Sequence, residues 1–274
     1  MIPMPLSGIW TDWSLSSQVP DKSRTEFPAT FMDHHKDHPL QDFYRKIHAR
    51  YDLVNRVFTF GRDRAWRRKA AAECLRARPV RILDLCSGTG DFLIELARQA
   101  EGPLELTGFD FSASMLDLAR GKSGGLEERS GIRSLAFVEG DAAGMPFPND
   151  SFDAVGITFG IRNLLYENSN AAQHMAEIRR VLKPGGRLVI LESGRPGNVI
   201  WRQVNTLYLR LVLPFLGGLL SGNLAAYRYL SESSKNYHTM DEMGGILEKA
   251  GFGVLRSKPL FMGSVMLVVA EKRD

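Results

Sequence analysis

Three acids close three successive apolar runs: Asp84 in V-R-I-L-D-L (80–85), Asp110 in L-T-G-F-D (106–110) and Asp141 in F-V-E-G-D (137–141). Between the first two lies C-S-G-T-G-D, Cys86 to Asp91, in which Gly88 and Gly90 form a G-x-G turn. A strand that runs into such a turn lets the backbone approach a ligand closely, and an acid about twenty residues further on is placed to hydrogen-bond ribose hydroxyls. A dinucleotide site wants a third glycine where this chain has Leu93, and no lysine follows in the spacing that cradles a triphosphate. A nucleoside without phosphates fits better, and S-adenosylmethionine has the matching parts. Asp84 would stand before the turn, Asp110 would take the ribose, and Asp141 beside Ala142 would take the adenine amine. Alone, Asp84 reads equally well as a cap of the next helix; the three acids together favour the cofactor. Cys86 reads as a small apolar filler, since no base accompanies it in sequence.

These residues need a scaffold of alternating strands and helices. Strands are predicted at 80–85, 104–109, 135–139, 153–158 and 187–192, and helices at 90–100, 113–121 and 170–182, with Lys183-Pro184-Gly185-Gly186 as a helix stop. Such alternation implies an α/β fold, a doubly wound, mostly parallel sheet of seven strands with helices on both faces. The last two β-rich runs, 252–258 and 262–271, follow a helix near 240–250 with no helix between them, so they should pair antiparallel. Residues 196–235 break the rhythm with L-Y-L-R-L-V-L-P-F-L-G-G-L-L (207–220), too short to span a bilayer, and read as an inserted lid over an apolar pocket. Upstream, residues 1–38 show no periodicity and read as a flexible arm, whose His34, His35 and His38 read as solvated tail residues rather than metal ligands. Residues 39–78 read as a helical cap on a domain spanning 39–274. Its first helix has apolar residues at Phe43, Ile47, Val54 and Phe58; its second carries Arg62, Arg64, Arg67, Arg68 and Lys69, a solvated face in the simplest reading.

At 274 residues, 44% of them hydrophobic, the chain is long enough for one such domain with extensions. A net charge of +4 permits an anionic partner, a membrane surface or a nucleic acid, without demanding one. Two cysteines without a pairing framework, a start unlike a secretory signal and no long apolar run point to a cytoplasmic protein, at most peripheral to a membrane.

From Tyr51 onward the sequence resembles the ubiquinone/menaquinone biosynthesis C-methyltransferases. The resemblance rests on Y-D-L-V-N-R-V-F-T-F-G-R-D-R-A-W (51–66), T-F-G-I-R-N-L (158–164), R-V-L-K-P-G-G-R-L-V-I-L-E-S (180–193) and A-Y-R-Y-L-S-E-S (226–233). It implies a class I methyltransferase with S-adenosylmethionine contacts at Thr89, Asp110, Asp141, Ala142 and Thr158. Asp84, Ser87, Gly88, Gly90, Phe111, Met115 and Tyr51 complete the expected cofactor set. The expected acceptor is a prenylated quinol, met at the cytoplasmic membrane face without nucleic acid; a homodimer or a quinone-biosynthesis complex stays open. Two departures, Ser193-Gly194 after Glu192 and S-K-N-Y-H-T-M-D (234–241), fall toward the acceptor side. Other acceptors, aromatic or lipid, and a non-catalytic scaffold are the alternatives.

Carbon methylation of a phenol needs the phenolate, because the neutral ring carbon is a weak nucleophile and the phenol's pKa is about 10. Arg162, after the fourth strand, would stabilise that phenolate or hold a water that takes the proton; a structural ion pair is the plainer reading. Asn163 would anchor the same loop. Tyr227, Arg228 and Tyr229 would line the acceptor from the lid, unless they only pack lid to core. His238 is the one histidine on the expected acceptor wall, and a structural role is the ordinary one for a lone histidine. Tyr51, Asp52 and Asn55 would close over the cofactor.

Overall fold

The computed structural model describes residues 56–221 and 224–273. The predicted arm with its three histidines and the early helix with Tyr51, Asp52 and Asn55 lie outside these residues.

In chain order, α1 (Asp63–Leu75) precedes β1 (Arg81–Leu85), α2 (Asp91–Gln99), β2 (Glu105–Asp110), α3 (Ala113–Ser123), α4 (Leu126–Ser130) and β3 (Ser134–Glu139). Then come β4 (Phe152–Thr158), α5 (Ile161–Leu165), α6 (Ala171–Val181) and β5 (Leu182–Ser193). A helical segment follows, formed by α7 (Val199–Leu207), a π-turn (Tyr208–Val212), α8 (Leu213–Ser221) and α9 (Leu224–Lys235). The chain finishes with α10 (Met240–Lys249), β6 (Phe252–Leu260) and β7 (Val265–Lys272). The strands form one sheet in the order β3-β2-β1-β4-β5-β7-β6. All neighbouring pairs from β3 to β5 are parallel, and β7 pairs antiparallel with both β5 and β6, as the missing helix before it predicted.

Both sheet faces are buried, which is why the strands read as continuous apolar runs rather than alternating ones. In β1, Ile82 faces the core under α1 and α2, whereas Leu83 and Leu85 face the core under α6 and α10. In β5, Val189 and Leu191 take the first face, Leu188 and Ile190 the second. Leu93, where a third glycine was missing, is fully buried. It lies over Gly108 of β2, so close that a Cβ there would sit 2.8 Å from Leu93 Cδ1. The close helix–strand approach is thus made by a strand glycine beneath a helix leucine, and Gly156 beneath Phe92 repeats the device.

Three expectations need correction. The helix stop at Lys183–Gly186 holds, since α6 ends at Val181, but the fifth strand starts before the predicted 187: β5 begins at Leu182, which pairs with Phe152, and the register then jumps to Ala154 opposite Arg187. A Pro-Gly-Gly insertion at a strand start is absorbed as a bulge. The α1 face is not wholly solvated, for Arg67 is buried, donates to Asp63 Oδ2 at 2.6 Å and lies over the Phe159 ring. The short helices α4 and α5 have no counterpart among the predicted elements; at one turn and a half, their apolar period is too brief to read.

Candidate active site

Parallel strands end on one edge of a doubly wound sheet, and that edge is where such folds bind ligands. β1 delivers Asp84, and the chain then turns sharply through Cys86 (φ 60°), Gly88 (φ 52°) and Gly90 (φ 79°) into α2. These left-handed angles suit glycine, and at Gly90 a Cβ would also come within 3.0 Å of Ala119 Cβ. Gly90 caps α2 without a side-chain bond, so Asp84 is not its cap.

Asp84 is fully buried, and neither carboxylate oxygen has a hydrogen-bond partner among the described residues. The buried Ser87 Oγ is likewise unpartnered. Burial pushes the Asp84 carboxyl well up, Arg67 offsets part of that, and Asp110 and Asp91 add to it. Buried polar atoms are seldom left unpaired, so the two side chains mark a place for a donor-rich ligand such as an ammonium group.

Asp110, the last residue of β2, is held differently. Its Oδ2 accepts from Gly88 N at 2.9 Å and its Oδ1 from Ser112 N at 3.0 Å. Burial raises its pKa, while these amides and that of Phe111 pull it back down. A carboxylate has about four lone-pair positions. The amides of Gly88, Ser112 and Phe111 fix its direction, and the remaining capacity can accept from a ligand such as a diol. Gly140 N donates to Asp110 O at 3.1 Å and ties the third strand end to the second. Asp141 is exposed, with Oδ1 accepting from Ala143 N at 2.9 Å, and Ala142 beside it is buried. Met115 is buried in α3, whereas Phe111 and Thr158 are half-buried. Thr89 is buried and accepts from Lys122 Nζ at 2.9 Å, and Lys122 also pairs with Asp91. Sequence reasoning had no signal for Lys122, which reaches the turn from α3.

The second half of the site lies where β4 and β5 end. Arg162 in α5 is buried; its backbone N–H donates to Glu192 Oε2 at 3.3 Å and its guanidinium donates to Ser234 Oγ of α9. The plainer reading of Arg162, a structural ion pair, does not hold among the described residues: its guanidinium partner is a hydroxyl. Glu192 is fully buried, and its Oε1 accepts from Ser193 N at 2.8 Å and Ser193 Oγ at 3.1 Å. Tyr237 is also fully buried, and its hydroxyl has no partner among the described residues. Its pKa is driven well up by burial and by Glu192, with Arg162 acting the other way. Glu192, Ser234 and Tyr237 were not among the predicted site residues. A charge inside the apolar V-I-L-E run was the one signal for Glu192.

Asn163 lies in the same helix, and its backbone carbonyl accepts from Asn168 Nδ2 at 2.9 Å. His238 is half-buried, its ring tilted 52° against that of Tyr237 with centroids 4.8 Å apart, and it lies 4.0 Å from Glu242. Burial lowers its pKa, Glu242 raises it and Arg195 lowers it. Tyr227 is buried in a small cluster with Leu213, Leu209 and Phe58, which packs the helical segment against the chain before α1. Arg228 is exposed, and Tyr229 lies in α9 with its side chain outside the described set.

The comparisons with known proteins agree with this geometry. The profile of the ubiE/COQ5 methyltransferase family matches residues 32–272. A relative from Deinococcus radiodurans named demethylmenaquinone methyltransferase is 43% identical over 238 residues, 87% of this chain and 94% of its own length. A relative of the same name from Thermus thermophilus is 43% identical over 230 residues, 84% of this chain and 99% of its own. Among solved structures, a SAM-dependent methyltransferase from Aquifex aeolicus superposes with a TM-score of 0.50 at 18% identity, covering 73% of this chain and 88% of that one, a likeness of fold.

Proposed function

Since the chain belongs to the ubiE/COQ5 methyltransferase family, we propose that its acceptor is demethylmenaquinol and that residues of the two strand-end clusters divide the work. The protein is an S-adenosylmethionine-dependent C-methyltransferase of quinone biosynthesis. The acceptor reading is carried by the near full-length match to relatives of that name, 94% and 99% of their own lengths.

The unpartnered Asp84 and Ser87 fit the cofactor's amino-acid end, the pre-aimed Asp110 its ribose, and the loop at Asp141 and Ala142 its adenine. Thr89, Gly88, Gly90, Phe111, Met115 and Thr158 line the same edge in this reading. When bound, S-adenosylmethionine supplies a sulfonium methyl group open to attack by a carbon nucleophile. Arg162 then faces the acceptor oxygen. Its guanidinium charge stabilises the phenolate, which pushes electron density onto the ortho ring carbon. With the cofactor bound, that carbon would take the methyl as the methyl–sulfur bond breaks, and the ring hydrogen of the resulting dienone would pass as a proton, by way of water, to its oxygen and restore the aromatic ring. Glu192 keeps Arg162 in place through its backbone, and Ser234 aims the guanidinium. Tyr237 offers a second donor to the acceptor oxygen. Charge is neutralised in the transition state, so a dry pocket speeds the step, and α9, which supplies Ser234, helps keep water out. The protein works in the cytoplasm at the membrane face in this reading.

The test is a mass-spectrometric assay with S-adenosylmethionine and two short-tailed quinols under reducing conditions, demethylmenaquinol and the demethylated ubiquinol precursor. A gain of one methyl on demethylmenaquinol is expected. A gain on the ubiquinol precursor alone would overturn the acceptor.

A further inference from the structure

We infer that the outer face of α7, the π-turn and the start of α8 is a docking surface for an anionic lipid membrane. The observation is a line of exposed apolar side chains on one continuous helical run. Ile200 (74% exposed), Val204, Leu207, Leu211 and Phe215 (69%) recur at intervals of three and four residues, which places them on one side of the run. Its other side is held to the body. Trp201 Nε1 donates to Ser264 Oγ at 2.9 Å, Tyr208 Oη donates to Phe58 O at 3.0 Å, and Leu213 and Tyr227 pack with Phe58. Phe60 and Met262 extend the patch: both are exposed, and Phe60 touches the Tyr208 and Phe261 rings.

Charge selects the occupant. Between Glu192 and Glu232 the sequence has Arg195, which pairs with Glu242, then Arg202, Arg210 and Arg228, and not one Asp or Glu. Arg202 and Arg210 lie exposed on the apolar run itself, and Arg62 stacks over Phe261 at its edge. A self-associating face would gain nothing from so one-sided a charge, because two copies would bring arginines together. An anionic bilayer surface meets both features: apolar side chains enter the acyl boundary and arginines stay among the headgroups. No helix among the described residues is long and apolar enough to cross a membrane, so the segment lies on the surface. The inference rests on the reading of a prenylated quinol as acceptor, a molecule whose tail resides in the bilayer. It adds the face on which the enzyme sits. That face belongs to the segment that supplies Ser234 to Arg162, so docking brings the site to its lipid-borne substrate.

The experiment uses the full chain with vesicles of phosphatidylglycerol or of phosphatidylcholine, and the variants Ile200→Glu/Val204→Glu and Arg202→Glu/Arg210→Glu. Wild type should float with phosphatidylglycerol vesicles and be released by salt. Each arginine near an anionic surface strengthens binding about fivefold, so the arginine variant should bind more than tenfold more weakly. The apolar variant should lose at least about tenfold in partitioning. Both variants should methylate a short-tailed, soluble demethylmenaquinol at the wild-type rate, yet fall behind on a long-tailed one embedded in vesicles. Wild-type vesicle binding by the apolar variant would overturn the surface. So would a wild-type dimer in sedimentation that Ile200→Glu/Val204→Glu splits, which would assign the face to a second copy. If no quinol is methylated in either format, the acceptor reading falls while flotation still decides the surface.

Discussion

The strand-end edge and the helical segment 199–235 are built on opposite principles. At the edge, direction is set by backbone: the amides of Gly88 and Ser112 aim Asp110, and left-handed turns at Cys86, Gly88 and Gly90 leave no freedom in the loop. In the helical segment, position is set by a few long-range side-chain contacts, among them Trp201 to Ser264, Tyr208 to Phe58 and Ser234 to Arg162, and much apolar surface stays exposed. A cofactor shared by many enzymes calls for a rigid cradle. A lipid-borne acceptor calls for a surface that can meet a membrane and repack around a tail. The contrast teaches that binding and turnover should be separable by mutation.

The largest separation is expected for Arg162→Ala. Removing one stabiliser of a developing oxyanion costs about 10²–10³-fold in rate, and single-turnover kinetics should show this with cofactor affinity nearly unchanged by calorimetry. Parallel losses in both would erase the division. Asp110→Ala should do the reverse, weakening cofactor binding by about 1.5–3 kcal/mol, the scale of a hydrogen bond to a charged group, while the rate at saturating cofactor holds. Glycine substitutions sharpen the structural side of the contrast. A Cβ on Gly156 would lie 2.3 Å from Phe92 Cε1, and one on Gly217 equally close to Tyr227 Cγ. Gly156→Ala should cost about 1–3 kcal/mol of global stability, read as a lower Tm. Gly217→Ala should instead speed hydrogen exchange in α8 and α9 and leave the sheet protected.

Two pH effects are smaller. Asp84 has a folded pKa raised above its unfolded value, chiefly by burial, so the folded state binds the extra proton. Stability of the cofactor-free protein should therefore fall as pH rises from about 4 through that raised pKa, and Asp84→Asn should flatten the decline in a Tm-against-pH series. His238 has a lowered folded pKa, so the unfolded state binds the proton first. Stability should slip as pH drops below about 6.5, and His238→Gln should remove that slope.

The same contrast explains what could be read in the residues. Strand ends, the G-x-G turn and the acids follow local rules of period and turn chemistry, so the sheet and the placing of Asp84, Asp110 and Asp141 about its strand ends were legible. So was the antiparallel pairing of β6 with β7, from the absence of a helix between them. Glu192, Ser234, Tyr237 and Lys122 act through contacts across 30 or more residues, such as Arg162 to Glu192 (30 apart) and Arg162 to Ser234 (72 apart), and no local pattern announces these. Arg67 was misread for a related reason: a basic run looks uniform in sequence, and only packing against Phe159 and Asp63 singles out one member. The Lys183–Gly186 stretch was read as a stop because proline and glycine stop helices, which α6 obeys at Val181; that the strand restarts at once depends on pairing with Phe152.

The most direct test of the central claim follows the methyl group itself. The protein is incubated with S-adenosylmethionine carrying a trideuterated methyl and with demethylmenaquinol, and the product is fragmented by mass spectrometry. The account predicts the label on the ring carbon ortho to a hydroxyl. Label on the phenolic oxygen, or none while the cofactor is bound, would contradict it.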